Sequence, residues 1–294
     1  MSGDRLLPGD VPALRPENSR AQVDLRFAAE PDGRTWLETQ RAGYPFHVGR
    51  CLNMAGDPQG MATVYVQSCS GGIFEHDDLR WSISAAPGAR AHVTTSASTI
   101  VHSMETGEAA QEVRVCAEAG SYLEYLPDPL IMFPGAGLSS RLHIGLDDDA
   151  TVLAWDTLLA HDPQGAGPPR AFKRLRSEWT VESLDGRLLA CDRCVVTGEL
   201  LARALPGVNG SHRCHGSFVV LRRGTSSEKL IEAIREELPI AENVYAGVST
   251  LPNNCGAVVR VLAMDAAALR AALHAAWKAA RMLLLGAPPS ARRK

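Results

Sequence analysis

Two cysteines separated by two residues, Cys191 and Cys194, are the pair in this sequence whose spacing is best suited to metal chemistry. A Cys-x-x-Cys pair can chelate one ion across a tight turn, and Cys214, further along the chain, could supply a third thiolate. The segment LLACDRCVVTG also alternates like a strand, in which residues three apart face opposite sides. Two interpretations stay open: a metal-binding protein that uses these three cysteines, or ordinary thiols in a β layer.

An acidic group follows a pair of glycines, since His76, Asp77 and Asp78 come after Gly71 and Gly72. Clustered carboxylates bind hard metal ions, so this group is a candidate site for an enzyme. A solvated turn between two strands is the alternative. The sequence contains no P-loop, no Gly-x-Gly-x-x-Gly after a strand and no Gly-x-Ser-x-Gly elbow. We therefore expect a protein that is not an enzyme.

Charge and composition limit the classes of partner. The 294-residue chain has 30 lysines and arginines against 33 acidic residues, which gives a formal net charge of -3. Neither nucleic acid nor an anionic membrane is an expected partner for such a chain. The start of the chain lacks the apolar core of a signal peptide, and the late apolar run, Met282 to Leu285, is too short to span a bilayer. With seven cysteines, an odd number, we expect reduced thiols and a cytoplasmic location.

The elements that must position these residues are mostly strands. Apolar and polar residues alternate in one short segment after another, with Gly, Pro and Asp between the segments. Three segments, APGARAHVTTS, EAGSYLEYLPD and DDDATVLAWDT, share a turn followed by alternation and recur about thirty residues apart. This repeat favours stacked strand layers. We predict a mainly β fold, with a large β-helical, two-layer β body and a small α-helical C-terminal region.

Three regions are predicted along the chain: a disordered arm (1–21), the β body (22–225) and a C-terminal helix-hairpin-helix region with a basic tail (226–294). One helix is predicted from Ser226 to Leu238, and a second follows a cap at Asp265 and ends at Gly286. Between the two helices, NVYAGVST and GAVVRVLAM have the pattern of a hairpin.

A longer motif occupies residues 123–136, where the sequence is LEYLPDPLIMFPGA. This string resembles the signature of the UreD family of urease accessory proteins, also called UreH. Other motifs resemble that family in order and spacing: Gln-Arg at 40–41, Ser-Gly-Gly at 70–72 with Asp77 and Leu79, Thr-Thr at 94–95, Ala-Trp-Asp at 154–156 and a closing helix from Trp277 to Gly286. The resemblance therefore covers nearly the whole chain.

Other positions depart from the family pattern. His76 stands where the family's turn has a second glycine, and Ile100 and His102 stand where the family has Lys and Tyr. A Pro-rich loop at 162–169 replaces Gly-Arg and Gly-Glu elements, and the chain ends in Ser-Ala-Arg-Arg-Lys instead of Pro-Arg-x-Trp. The chain thus resembles a divergent member of the family.

The resemblance implies a scaffold rather than a catalyst. Proteins of this family bridge apo-urease to UreF and to the GTPase UreG, so that nickel reaches the urease active site. By this resemblance we expect the urease apoprotein and UreF-like and UreG-like accessory proteins as partners. We expect no resident cofactor, and nickel only in transit.

Three carboxylates, Asp77, Glu124 and Asp156, fall in the matching motifs, and the resemblance makes them candidates to line a passage for the metal. We expect Glu124 to aim inward at a wet lumen, where carboxylates remain ionised without a basic partner and hold a divalent ion weakly. Local pairing of Glu124 within its loop is the alternative.

The closing helix carries an apolar stripe of Leu269, Leu273, Trp277 and Leu284. We expect this stripe to dock on the β body and to leave part of its surface for a helical partner that resembles UreF.

The prolines of the 123–136 motif predict a bend. Pro127 and Pro129 lack backbone donors and favour extended geometry, which suits a strand that leaves one layer for the other. We expect the run from Leu130 to Phe133, which follows, to be buried on both sides.

Overall fold

The computed structural model describes residues 21–161, 163, 171–224 and 226–290. The predicted arm except Ala21, most of the Pro-rich loop and the end of the basic tail lie outside the described residues, as does residue 225 at the predicted boundary.

Strands are the main secondary structure of the described chain. In chain order they are β1 (Val23–Ala29), β2 (Thr35–Ala42), β3 (Phe46–Val48), β4 (Ala62–Ser68), β5 (Asp78–Ala85), β6 (Arg90–Thr95), β7 (Thr99–Val101), β8 (Ala109–Ala117), β9 (Tyr122–Tyr125), β10 (Leu130–Met132), β11 (Gly137–Leu146), β12 (Thr151–Ala160), β13 (Arg174–Ser183), β14 (Leu188–Val196), β15 (Cys214–Arg222), β16 (Val244–Thr250) and β17 (Gly256–Ala263). The α-helices are α1 (Gly198–Ala202), α2 (Glu228–Glu237) and α3 (Ala266–Leu285), and a short 3-10 helix spans Pro252–Asn254.

Two sheets face each other and form the β body. Sheet A has the strand order β14-β13-β11-β8-β5-β1-β2, and sheet B has the order β16-β17-β15-β12-β9-β6-β4-β3, with β10 joined to β12 and β7 joined to β10. In sheet A, strands β5, β8, β11 and β13 run parallel, as do β4, β6, β9 and β12 in sheet B. Each coil of the chain thus adds one strand to each sheet, which confirms the predicted mainly β, β-helical, two-layer fold.

The three similar segments stack in sheet B as β6, β9 and β12. Arg90 lies opposite Tyr122, and Tyr122 lies opposite Thr151, so equivalent positions of the repeat share one row. Parallel strands that stack in register place side chains of the same face above one another. The recurring alternation therefore builds one continuous core.

That core lies between the sheets. Leu25, Val64, Val115 and Val152 are fully buried there, and burying a Val or Leu side chain contributes about 1.5–3 kcal/mol. The outer face of sheet A instead carries a row of alternating charge across five strands: Arg80, Glu112, Arg141, Glu178 and Arg193. Opposite charges on neighbouring strands favour this register.

The helices α2 and α3 pack on the outer face of sheet B. Asp265 caps α3, since its side chain accepts a hydrogen bond from the backbone of Ala268, and Gly286 ends the helix in the left-handed conformation. Both ends agree with the predicted helix. On β15, Gly216 allows this close packing, because an added Cβ would lie 2.9 Å from Cδ1 of Leu269.

The C-terminal hairpin is also confirmed, since β16 and β17 pair antiparallel. It continues sheet B through the pairing of β17 with β15, and so strands on both sides of residue 225 share one sheet.

The predicted layer crossing at Pro127 and Pro129 is wrong. Both β9 and β10 belong to sheet B, and the chain passes to sheet A only after Met132, at the turn before β11. Met132 is buried, but its neighbours Leu130, Ile131 and Phe133 are only half-buried. The segment that contains the two prolines instead links β9 to β10 within sheet B. The Pro127 carbonyl accepts a hydrogen bond from the Trp155 indole.

Candidate functional site

Glu124 lies on the helix side of sheet B. Side chains of β9 alternate between the two faces, so Leu123 and Tyr125 join the core between the sheets, while Tyr122 faces α3. Glu124 shares the face of Tyr122 and is fully buried beneath the helix. It therefore does not point into the space between the sheets, contrary to expectation.

Four donors surround the Glu124 carboxylate. Oε1 accepts hydrogen bonds from the Tyr122 hydroxyl at 2.7 Å, the Trp277 indole at 2.9 Å and Nε of Arg281 at 2.8 Å. Oε2 lies 2.6 Å from Nδ1 of His92. The carboxylate thus ties two strands of sheet B to α3, and it has the basic partner that a lumen-lining carboxylate was expected to lack.

Arg281 completes this buried network, which we call the helix lock: His92, Tyr122, Glu124, Trp277, Arg281 and Asp57. Arg281 is 1% exposed. Its Nε donates a hydrogen bond to Glu124, and its Nη1 donates one to Asp57 at 2.7 Å. One guanidinium therefore joins the helix to both a strand and the loop before β4.

The electrostatics favour the charged forms of this network. Burial alone would raise the pKa of Glu124, but the hydrogen bond and charge of His92 and the charge of Arg281 outweigh it and lower the pKa to about 2. Burial likewise opposes the charge on Arg281, yet Glu124 and Asp57 raise its pKa above the ordinary value. The carboxylate of Glu124 and the guanidinium of Arg281 are therefore both charged at neutral pH.

A separate cavity of about 280 Å³ lies between the sheets. Its floor on sheet A is a single row across four strands, made of Trp81, Val113, Leu142 and Trp179. Tyr125 and Ala154 face this row from sheet B. The walls at this end of the cavity are mainly apolar and aromatic.

The next rows of the two sheets make the other end of the cavity polar. Asp156 and Ser217 are paired neighbours in sheet B, and Ser140 and Ser177 are paired neighbours in sheet A. The hydroxyl of Ser177 donates to the Asp156 carboxylate, which joins the two sheets. Asp156 is thus the predicted passage residue that the structure places inside the body.

Several buried polar atoms at this cavity have no hydrogen-bond partner among the described residues. They are the indole nitrogens of Trp81 and Trp179 and the hydroxyl of Ser217. Buried polar groups normally bind protein or ordered water, so these atoms indicate a cavity that suits polar contents. Burial, with a smaller contribution from the nearby charge of Asp156, raises the pKa of Tyr125, which keeps its phenol protonated.

A smaller cavity of about 20 Å³ adjoins the first and shares Asp156 with it. Cys194, His215 and Asp192 line this second space. Burial lowers the pKa of His215 although Asp156 opposes the shift, so its imidazole is neutral near pH 7. Burial and the charges of Asp156 and Asp192 raise the pKa of the Cys194 thiol.

The three cysteines do not converge. Cys191 is exposed, Cys194 lines the small cavity, and Cys214 is buried on the helix side of sheet B. Within the part of the chain that the structure describes, no group of three or more His, Cys, Asp or Glu side chains is placed to hold a metal ion. The structure instead brings Cys194 to Asp156, two residues that belonged to different sequence hypotheses.

Asp77 lies apart from both cavities, in the turn before β5. Its carboxylate accepts a hydrogen bond from the backbone of Phe74 at 2.8 Å, while Asp78 pairs with Arg80. His76 is exposed and has a positive φ of 68°. These features are those of a solvated turn, and the predicted passage residues Asp77, Glu124 and Asp156 occupy three different places.

The apolar stripe of α3 is largely used inside the protein. Leu269, Leu273 and Trp277 are buried against sheet B, and Leu284 is half-buried beside them. The predicted docking on the β body is therefore seen, but the surface left for a partner is small. The large apolar side chains that this helix exposes are Met282 and Leu283.

Sequence reasoning missed His92, Asp57 and Arg281. Arg281 does have a sequence signal, because it lies four residues after Trp277 and so on the same helix face as the apolar stripe. An arginine on a buried face requires a carboxylate partner. His92 and Asp57 have no comparable signal, since their place depends on how the strands stack.

Comparison with known proteins gives the family context. The chain matches the family model described as UreD urease accessory protein over residues 19–294. It is 42% identical over 280 residues to Urease accessory protein UreD 1 of Pseudomonas syringae pv. syringae (strain B728a), a match that covers 95% of this chain and 97% of that protein. It is 36% identical over 289 residues to Urease accessory protein UreD 1 of Methylorubrum extorquens (strain PA1), with 98% and 96% covered.

A more distant match comes from Haloarcula marismortui, whose Urease accessory protein UreD is 32% identical over 272 residues, with 92% of this chain and 89% of that protein covered. No helix among the described residues is long and apolar enough to cross a membrane.

Proposed function

The chain belongs to the UreD family of urease accessory proteins, and on this premise we propose that it is a non-catalytic scaffold that assists nickel insertion into urease. In this role it binds the urease apoprotein and UreF-like and UreG-like accessory proteins in the cytoplasm. Nickel is cargo in this proposal and not a resident cofactor.

The observation that carries the proposal is the position of Asp156. This carboxylate lies in a cavity between two rigid sheets, at the point where the larger space meets the smaller one. Cys194 and His215 lie beyond it in the smaller space. The body therefore offers a short series of metal-binding side chains rather than one closed ligand set.

Such an arrangement suits transfer better than storage. A tetrahedral site of thiolates and imidazoles would bind nickel tightly and would release it slowly. Asp156 offers a carboxylate, His215 a neutral imidazole and Cys194 a largely protonated thiol. A divalent ion is therefore bound only weakly at each of these side chains. We propose that nickel passes between the sheets along Asp156 and towards His215.

The other two carboxylates of the predicted passage have different roles in this proposal. Glu124 is saturated with donors in the helix lock, so it supports the scaffold. Asp77 stabilises its own turn through Phe74. Neither of them borders the space that holds Asp156.

The test compares Asp156→Asn with Asp77→Asn, coexpressed with urease and the accessory proteins. Both substitutions remove one predicted carboxylate charge, but only Asp156 borders the cavity. We expect Asp156→Asn to lower the nickel content of matured urease while the complex still forms, and Asp77→Asn to leave nickel loading unchanged. Wild-type nickel loading with an assembled Asp156→Asn complex would contradict the passage.

A further inference from the structure

The strand orders of the two sheets end in four strands, and three of these, like the short branch strand β7, have features that protect a free edge. At the ends of sheet A, β14 contains Asp192 and Arg193, and β2 contains Glu38 and Arg41. At one end of sheet B, β3 is only three residues long. Charges and short length are the usual ways by which a protein keeps an edge strand from pairing with another chain.

The fourth edge, β16, lacks such protection. Its seven residues, VYAGVST, include no charged side chain and no proline, and it pairs only with β17. Val244, Ala246 and Val248 pack towards the core beneath the helices. The opposite face of the strand is open, because Tyr245 is 72% exposed and an added Cβ at Gly247 would contact nothing. A free, uncharged strand with an open face is a template for strand addition.

The charge beside this edge indicates what kind of chain adds to it. The helix that packs on β16 is α2, whose sequence EKLIEAIREE has four glutamates against one lysine and one arginine. Lys278 pairs with one of these glutamates, Glu237, and Glu242 adds another exposed carboxylate just before β16. The helix side of the edge is therefore acidic, while on the open face Arg260 of β17 lies opposite Gly247 and is paired with Asp192.

This acidic flank argues against a second copy of the same chain. Antiparallel pairing of β16 with its own copy would bring the two α2 helices together across a twofold axis, and like charges would then face each other. A segment with basic residues beside its strand would instead meet opposite charge.

We propose that β16 accepts an extended, basic-flanked segment of a partner protein as an added strand of sheet B. Backbone hydrogen bonds along the edge hold the segment, and its side chains pack on Tyr245 and over Gly247. The acidic side chains of α2 select for its basic flanks. The edge is three strands away from Asp156 in the same sheet, and no residue of β16 borders either cavity that holds Asp156, so this proposal can be tested separately from nickel passage.

The experiment uses the full chain and two labelled peptides of alternating threonine and valine, one with lysines at both ends and one with glutamates. We expect the lysine-flanked peptide to bind at least ~10-fold more tightly by fluorescence anisotropy. Hydrogen exchange should show new protection of the amides of residues 244–250. Ser249→Lys, which places a charge on the edge, should abolish binding, while the matched control Ser249→Thr should retain it.

Three results would overturn the proposal. Equal binding of the two peptides would remove the charge selection, and protection that falls outside β16 would place the site elsewhere. If sedimentation shows a dimer of the wild-type chain that Ser249→Lys dissociates, the edge belongs to a second copy. Nickel loading of urease by Ser249→Lys separates the two proposals, because normal loading by a variant that binds no peptide would leave the passage through Asp156 unaffected.

Discussion

The guanidinium of Arg281 on α3 and the carboxylate of Glu124 on β9 form an ion pair of 2.8 Å that is closed to solvent. Removing two such charges from water is costly, and the cost is offset only when each group has further partners. Glu124 has three more donors and Arg281 has Asp57, so the condition is met here. The pair fixes the position of the last helix on the scaffold.

Removing Arg281 should therefore destabilise the protein strongly. In Arg281→Met both Glu124 and Asp57 lose their guanidinium while they stay buried, and breaking a buried pair in this way costs ~3–5 kcal/mol. Urea denaturation measures the change in the free energy of unfolding. The control is Lys278→Met, on the same helix, which breaks an exposed pair with Glu237 and should cost no more than ~1 kcal/mol. If the free energy of unfolding falls by a similar amount in the two variants, the lock does not stabilise the packing of the helix.

The stability of the protein should fall in acid partly through Glu124. Its pKa is about 2 in the folded protein, against an ordinary value of 4.5, so the folded state favours the ionised form. This contribution is complete above pH ~4.5 and is lost as the pH falls towards ~2, and in total it amounts to about 3 kcal/mol. His92, Arg281 and Tyr122 are the titratable groups that hydrogen-bond the carboxylate, and Asp57 binds the same guanidinium from its other side.

Glu124→Gln tests this contribution. The variant should be less stable than wild type at pH 6, and its free energy of unfolding should depend less steeply on pH between 4.5 and 2, because it has no proton to take up at this position. Urea denaturation of both proteins across this range gives the two slopes. Parallel pH profiles would mean that the lock is not linked to protonation of Glu124. Glu75, whose pKa is also lowered to about 2 by backbone hydrogen bonds from Gly107, Glu105 and Thr106, titrates in both proteins and so cancels in the comparison.

Much of the fold was accessible from the sequence, because its signals are local. The alternation in APGARAHVTTS, EAGSYLEYLPD and DDDATVLAWDT predicts strands in the same phase, and Asp265 and Gly286 mark the ends of α3 by capping alone. In-register stacking follows from repeated segments of equal phase. These features need no knowledge of distant contacts.

The face of Glu124 could not be predicted in this way. All four residues of β9 are buried, so the glutamate does not mark a solvent-facing side of the strand, and alternation does not say which face meets the helix. The approach of Asp156 to Cys194 depends on how sheet A lies over sheet B, which is a property of the packed body. The single local clue was Arg281 within an apolar stripe.

Trp277 should contribute to stability and not to partner contact. Its indole is 3% exposed and donates to Glu124, so Trp277→Ala removes packing and one hydrogen bond and should cost ~3–5 kcal/mol. Binding of a UreF-like partner, measured well below the melting temperature of the variant, should be unchanged. Leu283→Lys, on the exposed side of the same helix, is the matched variant that tests whether that side contacts the partner. A folded Trp277→Ala protein that no longer binds its partner would show instead that the buried stripe is part of the partner interface.

Filling the cavity between the sheets should block nickel passage without removing any charge. Ala154 borders the cavity two residues before Asp156, and Ala154→Leu adds three carbon atoms to a space of about 280 Å³. Overpacking usually costs ~1–3 kcal/mol, but here the open space can accept the larger side chain, so the melting temperature should change little. The carboxylate of Asp156 remains in place. We therefore expect an assembled complex in which the nickel content of urease is lower than with the wild-type protein.

The matched control is Ala272→Leu. Ala272 lies on α3 and is fully buried where the helices pack on sheet B, so the larger side chain should lower the stability of the protein instead. Nickel content is measured on purified urease, and melting temperature on each variant alone. If folded Ala154→Leu loads urease as well as wild type does, nickel does not cross this cavity.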